Sequence, residues 1–530
     1  MAVDRRQFLQ YSAWGALSAV LPGFSLADAQ KVGRTANKSF AADVEIELTA
    51  QAADVPILPG ALTHVFQYRG KLLKGPQTAL QESPGYLGPM LNFEQGQKVR
   101  IYFRNQLPEP CVTHWHGMHV PQVMDGHPMY SIDQGEQYVY EFEVANRAGT
   151  NWYHAHTHEM TATQVYQGLA GLITVTDGAE KKLQLPNGEY DLPLVIQDRS
   201  FSGGNQLRYL MGMHQRMQGF HGDTILVNGQ KDAVIPVKTR AYRLRILNGS
   251  NARIYKLGWS DGTPLTAIGT DGGLLPKPET FPYIMLAPAE RIELWADFSD
   301  RKVGSELVLQ SLPYQIPASH MGGRGGMGRM GMMGHGAGQS AALTIATFRI
   351  AEHVSDSPAL PQQLLPLQRW TANDATDPGK TIPIAIGMRH MSFRLNGRTF
   401  DMHDYQDIEK IPVNTLQRIK IFHETGMGMG RMGGGMRGGM GMMMSQPHPI
   451  HIHGQQFQIL SRTQTNSQSS GYDTIKAGFV DSGWKDTVLV MPGEEVEIIK
   501  PFHDHTGLFL YHCHNLEHED MGMMRNFYVG

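Results

Sequence analysis

The residues able to do chemistry gather in four short motifs. Residues 511–524 read YHCHNLEHEDMGMM, with Cys513 between His512 and His514, His518 five residues on and Met523 five beyond that. A thiolate, imidazoles and a weak thioether form the ligand set of an electron-transfer copper site. Side chains alternate between the faces of an extended chain. Cys513 then points one way and its two neighbouring histidines the other, so one strand touches a mononuclear site on one face and a second metal cluster on its other. The remaining motifs are His114-Trp115-His116-Gly117, Trp152-Tyr153-His154-Ala155-His156 and His448-Pro449-Ile450-His451-Ile452-His453-Gly454. Each contains an H-x-H pair, which a strand presents on one face. The four pairs supply eight imidazoles, enough for three copper ions with room for oxygen. His448 lies an odd number of residues from His451 and His453 and is expected to face away from them, towards Cys513. Zinc more often takes several cysteines, or three ligands and a water.

Strands are the elements that must position these side chains. Val44, Ile46 and Leu48 alternate with polar residues, as do Val99, Ile101 and Phe103, and Tyr138, Tyr140, Phe142 and Val144; period two marks half-buried strands. A weak internal repeat joins Arg100-Ile101-Tyr102-Phe103-Arg104-Asn105 to Arg243-Leu244-Arg245-Ile246-Leu247-Asn248, with Arg418-Ile419-Lys420-Ile421-Phe422-His423 a near match. At roughly 100–200 residues per domain, a chain of 530 residues holds about three units. Units are expected at 40–178, 190–352 and 380–530, all-β, each a Greek-key β-sandwich with Gly/Pro turns. Two low-complexity stretches, 320–335 and 426–444, consist largely of Gly and Met and read as loops, because glycine loses most entropy on ordering.

A net charge of −3 with 18% charged residues gives no basic footprint for nucleic acid. Of the two cysteines, Cys513 is read as a metal thiolate and Cys111 as a small packed residue carrying a lone thiol. Asp4-Arg5-Arg6-Gln7-Phe8-Leu9 has the form of a twin-arginine export signal, and an Ala27-Asp28-Ala29 cleavage site closes the leader at residue 29. A periplasmic protein without membrane insertion after signal removal is therefore expected.

The four motifs resemble those of the multicopper oxidases, and the similarity extends to Asp271-Gly272-Gly273-Leu274-Leu275-Pro276 and Asn396-Gly397-Arg398-Thr399-Phe400-Asp401-Met402. Within that family the chain is most similar to the bacterial periplasmic cuprous oxidases of copper efflux. The resemblance implies three consecutive cupredoxin-like domains, four copper ions and a trinuclear site between the first and third units. By motif, His448, Cys513, His518 and Met523 match the type 1 ligands, and His114 and His451 the type 2 ligands. His116, His154 and His514 match one type 3 ion, and His156, His453 and His512 the other. Asp125 and Glu519 match the family's proton-relay acids. The implied activity is one-electron oxidation of Cu(I) with four-electron reduction of dioxygen, by a monomer. The rival donor is a phenol or aromatic amine, as in laccases; a non-catalytic copper-binding protein ranks below both. Thirteen of the 30 methionines fall in the two Gly/Met stretches, and thioethers favour Cu(I). Oxidant scavenging is the other use considered for them. Copper-efflux members carry an Asp and a Met four and two residues before the H-P-x-H-x-H-G motif, where this chain has Met444 and Gln446.

Overall fold

Alternating apolar residues become strands throughout the computed structural model, which describes residues 33–83, 85–210, 212–316, 339, 341–389, 391–424, 446–465 and 471–530. The leader and both Gly/Met stretches lie outside the described residues. The strands form six sheets, two in each of three successive blocks of chain. In the first block, Val44–Val55 pairs antiparallel with Thr63–Lys74 and parallel with Lys98–Asn105, which pairs antiparallel with Gln137–Glu143. A second sheet, containing Gly149–Ala155 and Ala170–Thr176, covers it. Val44, Ile46, Leu48 and Ala50 point inward, fully buried, and meet Leu91, Tyr153 and Ile173 of the opposing sheet. This is a sandwich whose core follows from period-two alternation. Two further cores of the same kind sit in the second and third blocks.

The internal repeat is a repeat of topology. Lys98–Asn105, Ala241–Asn248 and Thr415–His423 each lie between one parallel and one antiparallel neighbour. The parallel neighbours are Val44–Val55, Asp191–Arg199 and Ile382–Arg389. The last residues of the three strands are registered with Ala50, Ile196 and Ile386.

The C-terminal motif is extended only in part. The strand Gly507–Cys513 runs between His448–Ile452 and Met524–Val529, with Ile450 opposite Cys513 and His451 opposite His512. The chain then turns into a short helix, Leu516–Asp520, whose Asn515 cap accepts from the His518 backbone N–H. Asparagine at that place stops the strand and starts the helix. The turn carries His518 back beside Cys513, which a continuing strand would not do. Among the described residues, α-helix is confined to this turn, Thr161–Gln167 and Met213–Gln218, and no helix is long and apolar enough to cross a membrane. Cys111 is a free, buried thiol in the first core.

Candidate metal centre

Two clusters of donors lie on either side of Cys513. On one side the Cys513 Sγ is 3.5 Å from His448 Nδ1 and 3.9 Å from His518 Nδ1. The two imidazole rings are 5.1 Å apart. Met523 is fully buried in the same core, and its carbonyl accepts from the Cys513 N–H at 3.0 Å. Burial pushes the Cys513 thiol well up; a coordinated cation is what turns such a thiol into a thiolate. His518 is held at its far edge, where Nε2 donates to the Met217 carbonyl at 3.1 Å. Phe393 stacks on it at 3.9 Å.

On the other side eight imidazoles converge. His116, His154 and His514 have ring centres 5.1–5.6 Å apart. His156, His453 and His512 are 5.0–5.3 Å apart. His114 and His451 lie 5.6 Å apart beside both groups. All eight are buried, and two come from each of the four motifs. The third motif thus divides, His448 towards Cys513 and the other two towards the eight-imidazole cluster.

The donor atoms fit metal ions better than they fit each other. The Nε2 atoms of His156 and His453 approach His512 Nε2 at 3.3 and 3.1 Å, three ring nitrogens facing one point. His114 Nε2, His116 Nδ1, His154 Nε2, His451 Nε2 and both nitrogens of His514 are shut from water with no hydrogen-bond partner. Buried polar atoms are ordinarily paired, so this concentration of open lone pairs marks a site for cations. Burial and the neighbouring imidazoles hold the His114, His116, His451, His453 and His514 rings neutral, with His154 down to about 3 and His156, despite the opposing pull of Glu519, to about 4. The neutral ring is the state that ligates.

The outward nitrogens of His114 and His453 are spoken for. His114 Nδ1 faces the Asp125 carbonyl at 2.6 Å, and His453 Nδ1 donates to Asp125 Oδ2 at 2.6 Å. His512 Nδ1 lies 2.9 Å from Glu519 Oε2 and 3.2 Å from the Cys513 carbonyl. Asp125 and Glu519 thus each touch the cluster, in opposite electrostatic settings. Burial pushes the Asp125 carboxyl well above its usual range. Burial acts upward on Glu519 too, but His512 and His156 outweigh it and hold the carboxyl below the usual range. Of the nearby histidines assigned no ligand role, His127 Nε2 donates to Asn526 Oδ1 at 2.9 Å and His119 sits 3.3 Å from Asp504.

Asp486 is the residue that sequence reasoning missed. Its Oδ1 accepts from His116 Nε2 at 3.0 Å, and its carbonyl from His451 Nδ1 at 2.8 Å. It is near enough to count as a donor beside those two rings, but its oxygens are taken by His116 and by Arg291, at 2.8 and 2.5 Å. It is therefore a support for ligands, of the kind that fixes ring orientation. Arg291 comes from the middle unit and also donates to the Thr150 carbonyl of the first. Gly117, at φ +87°, makes room: a Cβ there would lie 2.7 Å from Arg291 Nη2 and 2.9 Å from Asp486 Oδ2. The helix Leu516–Asp520 is clamped in the same manner. Asp520 accepts from the N–H groups of Thr161 and Ala162, and Glu517 from Tyr209, Phe220 and Asn251.

A buried Cys–His–His set one peptide away from a closed cage of eight imidazoles, on three β-sandwiches, defines a copper redox protein. Comparison with known proteins places it further. Multicopper oxidase family profiles match residues 70–180 and 386–530. The multicopper oxidase mco of Staphylococcus haemolyticus is 30% identical over 438 residues, 83% of this chain and 81% of the relative. A laccase of Bacillus stratosphericus is 30% identical, covering 85% of this chain and 90% of its own. The crystal structure of McoA multicopper oxidase from Aquifex aeolicus superposes with a TM-score of 0.74 at 31% identity, over 93% of this chain and 97% of that one. The chain belongs to the multicopper oxidase family: it is an oxidoreductase that uses oxygen, built of three cupredoxin-like sandwiches.

Proposed function

We propose that the enzyme oxidises Cu(I) to Cu(II) and passes the electrons to dioxygen, as a periplasmic copper-tolerance oxidase exported through its twin-arginine leader. Four copper ions are assigned: one to His448, Cys513, His518 and Met523, one to His114 and His451, and one each to His116, His154, His514 and to His156, His453, His512. When bound, these ions supply one-electron transfer and the place where dioxygen is reduced. The chain's own part is to hold and orient. The peptide through Cys513 connects the two clusters by covalent bonds, because His512 and His514 are its immediate neighbours. Asp125 and Glu519 stand at His453 and His512 as the acids that relay protons for water formation. Asp486 keeps the His116 ring in one orientation.

The observation that carries the choice of donor is the placing of thirteen methionines in two Gly/Met stretches, one ending four residues before His448. Soft thioethers select Cu(I) over hard cations. The His518 edge supports the same choice, since its N–H is spent on the carbonyl of Met217, in the helix Met213–Gln218, and is not free to bond a phenol. A laccase-type reaction with phenols or aromatic amines is the second reading, favoured by the likeness to the Bacillus stratosphericus laccase. Steady-state oxygen consumption separates them. Deleting residues 426–444 is expected to lower turnover with Cu(I) much more than turnover with a phenol. Phenol turnover without added copper, together with a deletion that spares Cu(I) oxidation, overturns the cuprous reading.

A further inference from the structure

The three repeated strands end on Asn105, Asn248 and His423, at the same place in each unit. In the first two units the asparagine clamps the loop that follows. Asn105 Nδ2 donates to the carbonyls of Glu109 and Ile132 at 2.8 and 2.9 Å, and its Oδ1 accepts from the Leu107 N–H at 2.9 Å. Asn248 does the same with Arg253 and Leu286, at 2.8 and 2.9 Å, and with the Ser250 N–H at 3.0 Å. In the third unit the clamp is gone. His423 Nε2 donates to the Gln446 carbonyl at 3.2 Å, which assigns the proton to Nε2 and leaves a lone pair on Nδ1. That Nδ1 is closed off from water and has no hydrogen-bond partner. An unpaired buried polar atom is destabilising, so the exchange weakens the fold where the repeat shows a better solution.

The position explains the exchange. The His423 ring is 5.5 Å from the ring of His448, on the Cys513 side of the molecule. His423 is registered with Ile386, an inward residue of the third core, so both project to the core face. Met388, two residues past Ile386, projects to that face as well and packs, half-buried, against the core that holds Cys513 and Met523. Met388 is in turn registered with Phe393, whose ring stacks on His518. An imidazole lone pair and a thioether thus come to the electron entrance from neighbouring strands, and neither is assigned to a resident ion.

We propose that His423 Nδ1, with the Met388 thioether, forms the docking site for the Cu(I) ion being oxidised. The inference rests on the cuprous reading above. Each Cu(I) gives one electron to the His448–Cys513–His518 site and leaves as Cu(II); four such electrons and four protons turn one dioxygen into two waters.

The test uses the copper-loaded enzyme and His423→Asn, which restores the residue the other two repeats carry and so preserves the fold; Met388→Leu is the second variant. The probe is Ag(I), a soft ion that binds as Cu(I) does but gives up no electron. Ag(I) is expected to shift the blue absorption band of the wild type, because it binds next to His448, and to leave the His423→Asn band unmoved. The KM for Cu(I) should rise by about tenfold or more in His423→Asn, with kcat changed far less. An Ag(I) shift retained in both variants, or a KM within about twofold of wild type, overturns the site while leaving the cuprous reading in place. A wild type that fails to oxidise Cu(I), yet shows the His423-dependent shift, overturns the cuprous reading and reduces the site to a soft-ion site.

Discussion

Replacing Asp486 by asparagine should loosen the oxygen-side cluster without touching any ligand. The carboxylate serves three partners at once: Arg291, through two bonds of 2.8 and 2.5 Å, His116 Nε2 at 3.0 Å and Thr487 Oγ1 at 3.0 Å. Asp486 and Arg291 are each shut from solvent. Breaking one side of a buried pair costs about 3–5 kcal/mol. Asp271 Oδ1, 3.8 Å from Arg291 Nη1, keeps part of the counter-charge, so the expected loss sits near the lower end, about 3 kcal/mol. An amide has a single acceptor oxygen, and its N–H₂ repels the guanidinium, so either Arg291 or His116 loses its acceptor. Losing such an outer support typically weakens metal binding by about 10–100-fold. The assay is copper retention against a competing chelator, followed by the blue band for the Cys513 site and total copper for the rest, with thermal unfolding of the copper-free protein alongside. Copper should leave the eight-imidazole cluster first, while the blue band persists. If Asp486→Asn keeps its full copper at the same chelator concentration and melts with the wild type, the anchoring role given to Asp486 is wrong.

Two further outcomes follow from the same geometry. Cys513→Ser should remove the blue band and leave the protein folded, since the side chain fills the same space between His448 and His518; absorption spectra and circular dichroism check both, and a blue serine variant would remove Cys513 from the site. Glu293→Gln should flatten the acid end of the stability curve. Burial raises the Glu293 carboxyl, but Arg243 and Arg245 outweigh it and hold it down to about 2, below its unfolded value near 4.5. The contribution, roughly 3 kcal/mol by linkage, is thus complete above about pH 4.5 and is lost as pH falls towards 2. Thermal melts at pH 7 and pH 3 should show the wild type approaching the variant as pH falls, and a gap that stays constant would count against the pairing.

What could be read from the chain was whatever depends on residue type and short spacing. The alternation at Val44, Ile46 and Leu48 is a buried strand face, and the H-x-H pairs are visible because two imidazoles two residues apart have few other uses. What escaped reading depends on distance in the chain. His116 and Asp486 are 370 residues apart, and Trp484-Lys485-Asp486-Thr487 looks like the polar start of any strand. The helical turn at Leu516–Asp520 is equally quiet: Asn515 is a cap signal, but five residues are too few to show a period. His423 was visible only as an imperfect repeat. Its meaning needed the hydrogen bonds of Asn105 and Asn248 for contrast.

The middle unit supplies no ligand, and yet the cluster depends on it. Its Arg243, Arg245 and Glu293 form a buried group that also takes Thr150 of the first unit and Glu180 of the segment joining the two. Its Arg291 takes Asp486 of the third, with Asp271 and Lys485 closing a second group. Met217, Tyr209 and Asn251 hold the helix that bears His518. Such ion groups are poor sources of net stability, because desolvation consumes most of what pairing returns. They do resist displacement strongly, since moving one unit strands several buried charges together. The imidazoles of His116 and His451 belong to different units but share Asp486, and their rings stack at 3.7 Å. Holding those rings in place therefore requires the first and third units to keep one relative position. That position is fixed both by direct bonds, such as those of Asp520 to Thr161 and Ala162, and through the middle unit, which gives a domain with no paired histidines its reason to keep so many charges at its two seams.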